Sequence, residues 1–384
     1  MSFVAVDNAR IRFQVPEMAS GMTERLSELF RGAPISGDGP VGRQVENQLS
    51  AMHLGSQALL TSSCTHALEM AAIMLHRSDR NRVIVPSYAF TSCAAAFDLH
   101  GWEISFADVR PDYLTLDPSS LEEALTPDVG AILHVNYGGF APDLVQFRDI
   151  CTKLDIALIE DNAHGLGGRA NGQVLGTVGE LSTLSFHGTK NLTCGEGGAL
   201  ILPQGSPLEH FAYHVREKGT NRRSFIEGQV DKYTWVSAGS SFVLSEIAAA
   251  VLAGNLEAFG GMQQRRRAIF DRYHTLAGWA KAQGFALPPT PMSDIDFAAH
   301  IFWIIAPDES TRIALAAHLR DSGIETATHY QALHESPYAE SRGFVATGCS
   351  TASIASRTLL RLPLYSGLSD SDVEHVIQTV GSFT

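Results

Sequence analysis

Lys190 lies in Ser185-Phe-His-Gly-Thr-Lys190, between an apolar run, Leu181 to Phe186, and a glycine-rich turn, Gly195 to Gly198. A flexible cation where a buried strand meets a tight turn is either a surface residue or an amine with a task. An amine becomes a good nucleophile toward a carbonyl when burial or a neighbouring cation depresses its pKa. Other chemically able residues also follow apolar runs. Thr61-Ser-Ser-Cys-Thr-His66 follows the run Gln57 to Thr61 and opens a helical pattern. Unpaired N–H groups, the positive end of the helix dipole and the adjacent hydroxyls would make this a phosphate site. Plain N-capping by Ser63 or Thr65 explains the same residues. Asp161, in Ile159-Glu-Asp-Asn-Ala-His164, is either a helix cap or a partner for a protonated ring nitrogen. Phe90, after the run Val83 to Pro86, is either core or a platform for a stacked ring.

Each residue has a bland reading; the ordered series does not. A phosphate cup at 63–65, an aromatic at 90, a strand-end acid at 161, His164, then Ser185 and Lys190 are what pyridoxal 5'-phosphate requires. Competing motifs fail. Gly165-Leu-Gly-Gly168 does not open a helix after a first strand, so it makes a poor dinucleotide fingerprint, and there is no GxSxG or HExxH. Asn191-Leu-Thr193 matches a glycosylation sequon by chance if the chain is cytoplasmic. No metal is expected: the five cysteines are scattered without CxxC spacing, which suggests neither zinc nor a disulfide framework.

The elements that must carry these residues follow from periodicity. Apolar runs at 57–61, 83–86, 103–106, 131–135, 156–159, 181–186 and 199–202 read as strands. Helical patterns such as 67–75 and 144–151 alternate with them. That alternation predicts an α/β fold with a doubly wound, mostly parallel sheet, whose ligands bind at the carboxyl ends of the strands. Residues 242–283 read as helix, and a strand at 300–305, a helix at 311–321, a strand at 324–328 and a last helix at 370–380 predict a smaller C-terminal α+β domain. The expected division is 1–255, with an arm at 1–20 packing elsewhere, and 256–384.

With 384 residues, 45% hydrophobic and 18% charged, two globular domains are the natural expectation. The net charge of −13 speaks against nucleic-acid binding, so anionic ligands must be held by local groups. There is no signal-peptide pattern and no apolar run of the roughly 20 residues that a membrane span needs. A reduced, cytoplasmic protein is the expectation.

On these residues the chain resembles the sugar aminotransferases of the DegT/StrS family, fold type I of the pyridoxal phosphate enzymes, from Ser36-Gly-Asp-Gly-Pro-Val41 through Arg361-Leu-Pro-Leu-Tyr365. Within the family it is most similar to the dTDP-4-keto-6-deoxy-D-glucose 4-aminotransferases, through Arg216 to Arg222, Gly228 to Trp235 and Gly239-Ser-Ser241. The resemblance implies Lys190 as the lysine that carries the cofactor and moves the proton, and Asp161 as partner of the ring nitrogen. It implies Phe90 stacked on the ring, His164 near the ring hydroxyl, and the phosphate held around Cys64, Thr65 and Ser185. His329 and Tyr330, in His329-Tyr-Gln-Ala-Leu-His334, would face the sugar nucleotide. L-Glutamate would be the amino donor. Two departures stand out: Cys64-Thr65 replaces a Gly-Thr pair, and Ser241 replaces an asparagine that reaches the partner subunit's cofactor phosphate, in a homodimer with shared sites. Relatives that dehydrate carry histidine at the lysine position, so Lys190 implies transamination. A C3-aminating enzyme, a UDP- or GDP-sugar substrate, and a silent sugar-nucleotide-binding protein are the alternatives. The basic cluster Arg216, Lys218, Arg222 and Arg223 is either a solvated face or a counterweight to a diphosphate.

Overall fold

The computed structural model describes residues 3–4, 10–16, 18–19, 21–32, 34–291 and 297–384. Among the described residues, fourteen strands run in chain order: β1 Phe3–Val4, β2 Gln57–Thr61, β3 Arg82–Pro86, β4 Glu103–Ala107, β5 Val129–Val135, β6 Ala157–Asp161, β7 Arg169–Ala170, β8 Gln173–Val174, β9 Leu181–Ser185, β10 Gly198–Leu202, β11 Phe302–Ile305, β12 Thr326–Ala327, β13 Val345–Thr347 and β14 Leu359–Leu362. Eight form a large sheet in the order β13-β4-β3-β5-β6-β9-β10-β2. All neighbours pair in parallel except β10, which is antiparallel to both β9 and β2. Seven strands therefore point the same way, and the one reversed strand starts where the others finish. β5 is buried along its whole length, as expected for a parallel strand covered on both faces. A four-stranded antiparallel sheet, β1-β12-β14-β11, forms the second layer system.

The seven expected strands of the large sheet are present within two residues of their expected ends. The helical stretch expected at 242–283 begins at Glu246, capped by the Ser245 hydroxyl, and runs unbroken to Tyr273; a 3-10 turn, His274–Leu276, separates it from the helix Ala277–Gln283. Its early turns meet Met22, and its last arginines, Arg265 and Arg272, pair with Asp370. The expected division at 255/256 falls inside this helix. The strand expected at 324–328 shortens to β12, because Gly323 has positive φ and Ile324 bridges to Ile11 instead. Of the expected arm at 1–20, residues 1, 2, 5–9, 17 and 20 lie outside the described residues. The rest meets the small sheet, β1 on β12, and the Gln14 side chain donates to the Thr189 carbonyl at 2.6 Å.

β13 did not stand out in the sequence. It comes from the C-terminal third of the chain yet adds in parallel to β4, at the far edge of the large sheet. The segment before it is also tied to the large sheet. Leu333 N–H donates to the Ser87 carbonyl at 2.8 Å, and the Ser87 hydroxyl lies 2.6 Å from His334 Nδ1.

Candidate active site

The carboxyl ends of the strands converge on a cavity of about 390 Å³. Its lining includes Ser63, Cys64 and Thr65 beyond β2, Phe90 beyond β3, Asp161 at the end of β6, His164, Ser185 at the end of β9, Lys190 and Tyr330. Most of the residues singled out from the sequence thus meet in one place. Two do not. His329 is buried, bonded to Arg361 and Tyr137, and does not line the cavity. Ser241 is exposed and bridges to Glu217; it does not line the cavity of its own chain.

The phosphate-cup geometry begins with helix Cys64–Leu75. Ser63 is its N-cap, in extended conformation, and its hydroxyl accepts from His66 N–H at 3.0 Å. The N–H groups of Cys64 and Thr65 take no acceptor among the described residues, as helix first-turn donors do unless something is supplied. β10 approaches this helix end so closely that a Cβ on Gly198 would lie 2.4 Å from Cys64 N and 2.5 Å from Ser63 C. Only glycine fits there. Gly198 also pairs with both Thr61 and Ser185, which brings the Ser185 hydroxyl to the same end as the helix N-terminus. The Thr65 hydroxyl is 2.8 Å from that of Ser92.

Phe90 is 51% exposed, which excludes the core reading; its ring opens on the cavity, 6.1 Å from that of Tyr330. Asp161 is held at both oxygens. Oδ1 accepts from Ala163 N–H at 3.0 Å, and the Cys93 thiol donates to Oδ2 at 3.1 Å. Cys93 and Ser92 were not singled out in the sequence, although they follow Phe90 at the start of helix Ser92–Asp98. Glu160, one residue earlier and fully buried, anchors the strand end: it accepts from the N–H groups of Gly176, Val178 and Gly179 at 2.7–2.8 Å.

Lys190 opens on the cavity and so keeps some accessible surface, yet it lies deep within the protein. Burial lowers its pKa from 10.5 to about 8, against the opposing pull of Asp161 and with help from Arg361. A pKa near 8 leaves about a fifth of the amine neutral at pH 7.4, against roughly a thousandth for an ordinary lysine. The rate at which the cofactor-free protein captures pyridoxal phosphate should therefore rise with pH up to about 8 and level off above it, in stopped-flow absorbance. A rise continuing past pH 10 would contradict a lowered amine. His164 is held well below its ordinary range, first by burial and then by Lys190 and Arg361, so it stays neutral. Its Nδ1 accepts from Gly138 N–H at 3.2 Å.

The basic cluster is neutralised within the chain. Arg216 is fully buried, 3.0 Å from Asp38 and 2.6 Å from Glu46; Arg222 meets Asp38 and Glu217, and Arg223 pairs with Glu227. Lys218 alone has no ion pair among the described residues, so the cluster is not a free counterweight to a diphosphate. No group of three metal-ligating side chains occurs among the described residues, and no helix there is long and apolar enough to cross a membrane.

The sequence model of the DegT/DnrJ/EryC1/StrS aminotransferase family matches residues 16–381. The chain belongs to this family. It is a pyridoxal-phosphate-dependent sugar aminotransferase of fold type I. Solved structures agree in fold. The aminotransferase TlmJ from Streptoalloteichus hindustanus is 26% identical, with a TM-score of 0.85 over 98% of each chain. Spr1654 from Streptococcus pneumoniae in its PMP form is 23% identical, with a TM-score of 0.89 over 97% of this chain and 99% of that one. PseC from Helicobacter pylori, an aminotransferase of pseudaminic acid biosynthesis, is 21% identical, with a TM-score of 0.86 over 96% and 97%. The cavity fits the family's cofactor on its own evidence: two helix-end N–H groups without an acceptor among the described residues, a carboxylate and a lowered amine share one space.

Proposed function

We propose that this aminotransferase moves the amino group of L-glutamate to the 4-keto carbon of dTDP-4-keto-6-deoxy-D-glucose, giving a dTDP-4-amino-4,6-dideoxyhexose. The observation that carries aminotransfer is Lys190, an amine lowered to about 8, in the same cavity as the buried Asp161. The nucleotide sugar rests on the resemblance of residues 216–241 to the 4-aminating subgroup. Bound here, pyridoxal phosphate supplies a carbonyl that takes up the amino group and a ring that accepts the electron pair left when the donor loses its α-proton.

The protein's part follows from its side chains. The Cys64 and Thr65 N–H groups and the Ser185 hydroxyl hold the phosphate. Phe90 and His164, which line the cavity, would cover one face of the ring and meet its hydroxyl respectively. Asp161 keeps the proton on the ring nitrogen, favouring the charged ring that draws electrons most strongly. Lys190 Nζ would hold the cofactor and, once free, would take the donor's α-proton and give it back. Tyr330 meets the substrate. Ser241 reaches the cofactor phosphate of a second copy, in a cytoplasmic homodimer with shared sites. The division between the large and small domains lies within helix Glu246–Tyr273.

A panel of keto-sugar nucleotides tests the substrate. The dTDP 4-keto sugar is expected to exceed the 3-keto isomer and the UDP and GDP analogues by at least about a hundredfold in kcat/KM, since polar groups built for one arrangement are left unpaired by another. Preference for a 3-keto, UDP or GDP substrate would replace this reading. A protein that stays colourless with added cofactor, or whose yellow colour L-glutamate does not bleach, would point to a silent binding protein.

A further inference from the structure

Arg361, on β14, is 3% exposed and has no carboxylate partner among the described residues; its only close polar contact there is His329 Nε2, at 2.8 Å from Nη1. Its guanidinium also lies over the Phe13 ring, 4.8 Å from the centroid. A guanidinium can only donate, so His329 Nε2 must accept and the imidazole hydrogen must sit on Nδ1. That hydrogen goes to the Tyr137 hydroxyl, 3.0 Å away. The Tyr137 ring packs edge-on against that of Tyr88, with centroids 5.5 Å apart, and Tyr88 donates to the carbonyl of His329 itself. His329 is thus tied at both ring nitrogens and at its carbonyl, and the one obligate donor, Arg361, sets which ring nitrogen carries the hydrogen. Buried from water, these contacts hold the His329 backbone as well as its ring.

The next residue, Tyr330, opens on the cavity. Its ring stacks on His329, with centroids 3.8 Å apart, and its hydroxyl is 3.4 Å from His164 Nε2. Because His164 Nδ1 already accepts from Gly138 N–H, its own hydrogen is on Nε2, and it cannot take the Tyr330 hydrogen. Burial keeps the Tyr330 hydroxyl protonated. Its hydrogen is left for the cavity.

We propose that Arg361 and His329 are a buried positioning pair that fixes Tyr330 as a hydrogen-bond donor to a carbonyl or carboxylate oxygen of the substrate. Neither residue touches the substrate; both act through Tyr330. This rests on the cavity being the transaminase site, and the test has an arm that does not depend on turnover.

In holoenzyme labelled with 15N-histidine, with His329 assigned through His329→Gln, the ring is expected to be the neutral Nδ1–H tautomer between about pH 6 and 8. The groups facing it are Arg361, Tyr88, Tyr137, Tyr330, His164 and Lys190. Arg361→Met is expected to convert it to the Nε2–H tautomer or the imidazolium, and Arg361→Lys, still an obligate donor, to keep it. An Nε2–H tautomer in the wild type, or no change in Arg361→Met, overturns the proposal. In the second arm, Tyr330→Phe and Arg361→Met are each expected to slow the half-reaction with L-glutamate about tenfold, the size of one hydrogen bond. Made together they should stay within about threefold of the worse single variant, because both remove one interaction. Additive losses of about a hundredfold would show two independent roles and sink the proposal. The spectroscopic arm reads the His329 tautomer whether or not glutamate is the donor, so failure of the assigned activity and failure of the pair are told apart.

Discussion

Lys190→Ala is expected to give a folded protein that does not transaminate. Lys190 is asked to do two jobs, anchoring the cofactor and then carrying the proton, and general acid–base work alone is worth about 10²–10⁴-fold. Losing both should lower turnover by about four orders of magnitude or more. The fold should survive, because truncating this side chain enlarges a cavity that is already present and removes a buried amine rather than a packed apolar group. The measurement is a pair. Borohydride treatment of the wild-type holoenzyme followed by peptide mapping should fix the cofactor on Lys190, and single-turnover absorbance of the variant with L-glutamate should show no conversion. Wild-type label on another lysine, or a variant that completes turnovers, would remove Lys190 from its role.

Asp161→Asn should lower kcat by about two to three orders of magnitude, the usual cost of losing one charge-stabilising group in a catalytic centre. The amide keeps the shape and can still accept from Ala163 N–H, so the effect isolates the charge. It also has a second, opposite-looking signature. Asp161 holds the Lys190 pKa up against burial, so without it the amine should titrate below about 8. The pH at which cofactor capture levels off should move down while turnover collapses. Unchanged turnover would mean that no ring nitrogen depends on this carboxylate. A plateau that moves up would mean that the field at Lys190 has a different source.

The parts of this site that were readable in the sequence are those fixed by local rules. Strand ends, a serine-threonine helix start and a glycine-rich reversal are short-range patterns, and Ser63, Asp161, Ser185 and Lys190 sit in them. What stayed hidden depends on partners far along the chain. Arg216 looked like one of a run of cations, but its acids, Asp38 and Glu46, lie some 170 residues earlier. The buried cation that holds His329, Arg361, comes 32 residues later, on β14. Cys93 reaches Asp161 from another strand-helix unit, across 68 residues. Short elements were also missed: helix Ser350–Thr358 is rich in serine and threonine, and β13 is only three residues long with two of them exposed. Neither produces a periodic signal strong enough to detect.

β13 matters most while the protein is being made. Until residues 345–347 leave the ribosome, β4 is the rim of the large sheet, with its backbone groups unpaired on that side. Its apolar residues Ile104 and Phe106 are buried in the finished molecule. Exposed rims of this kind recruit other chains, and nascent chains wait at such stages while synthesis proceeds. Residues 345–347 are therefore the part that closes the first-made sheet. A nonsense codon between the Tyr330 segment and β13 would leave every cavity-lining residue encoded, yet release a product prone to stick to its own copies.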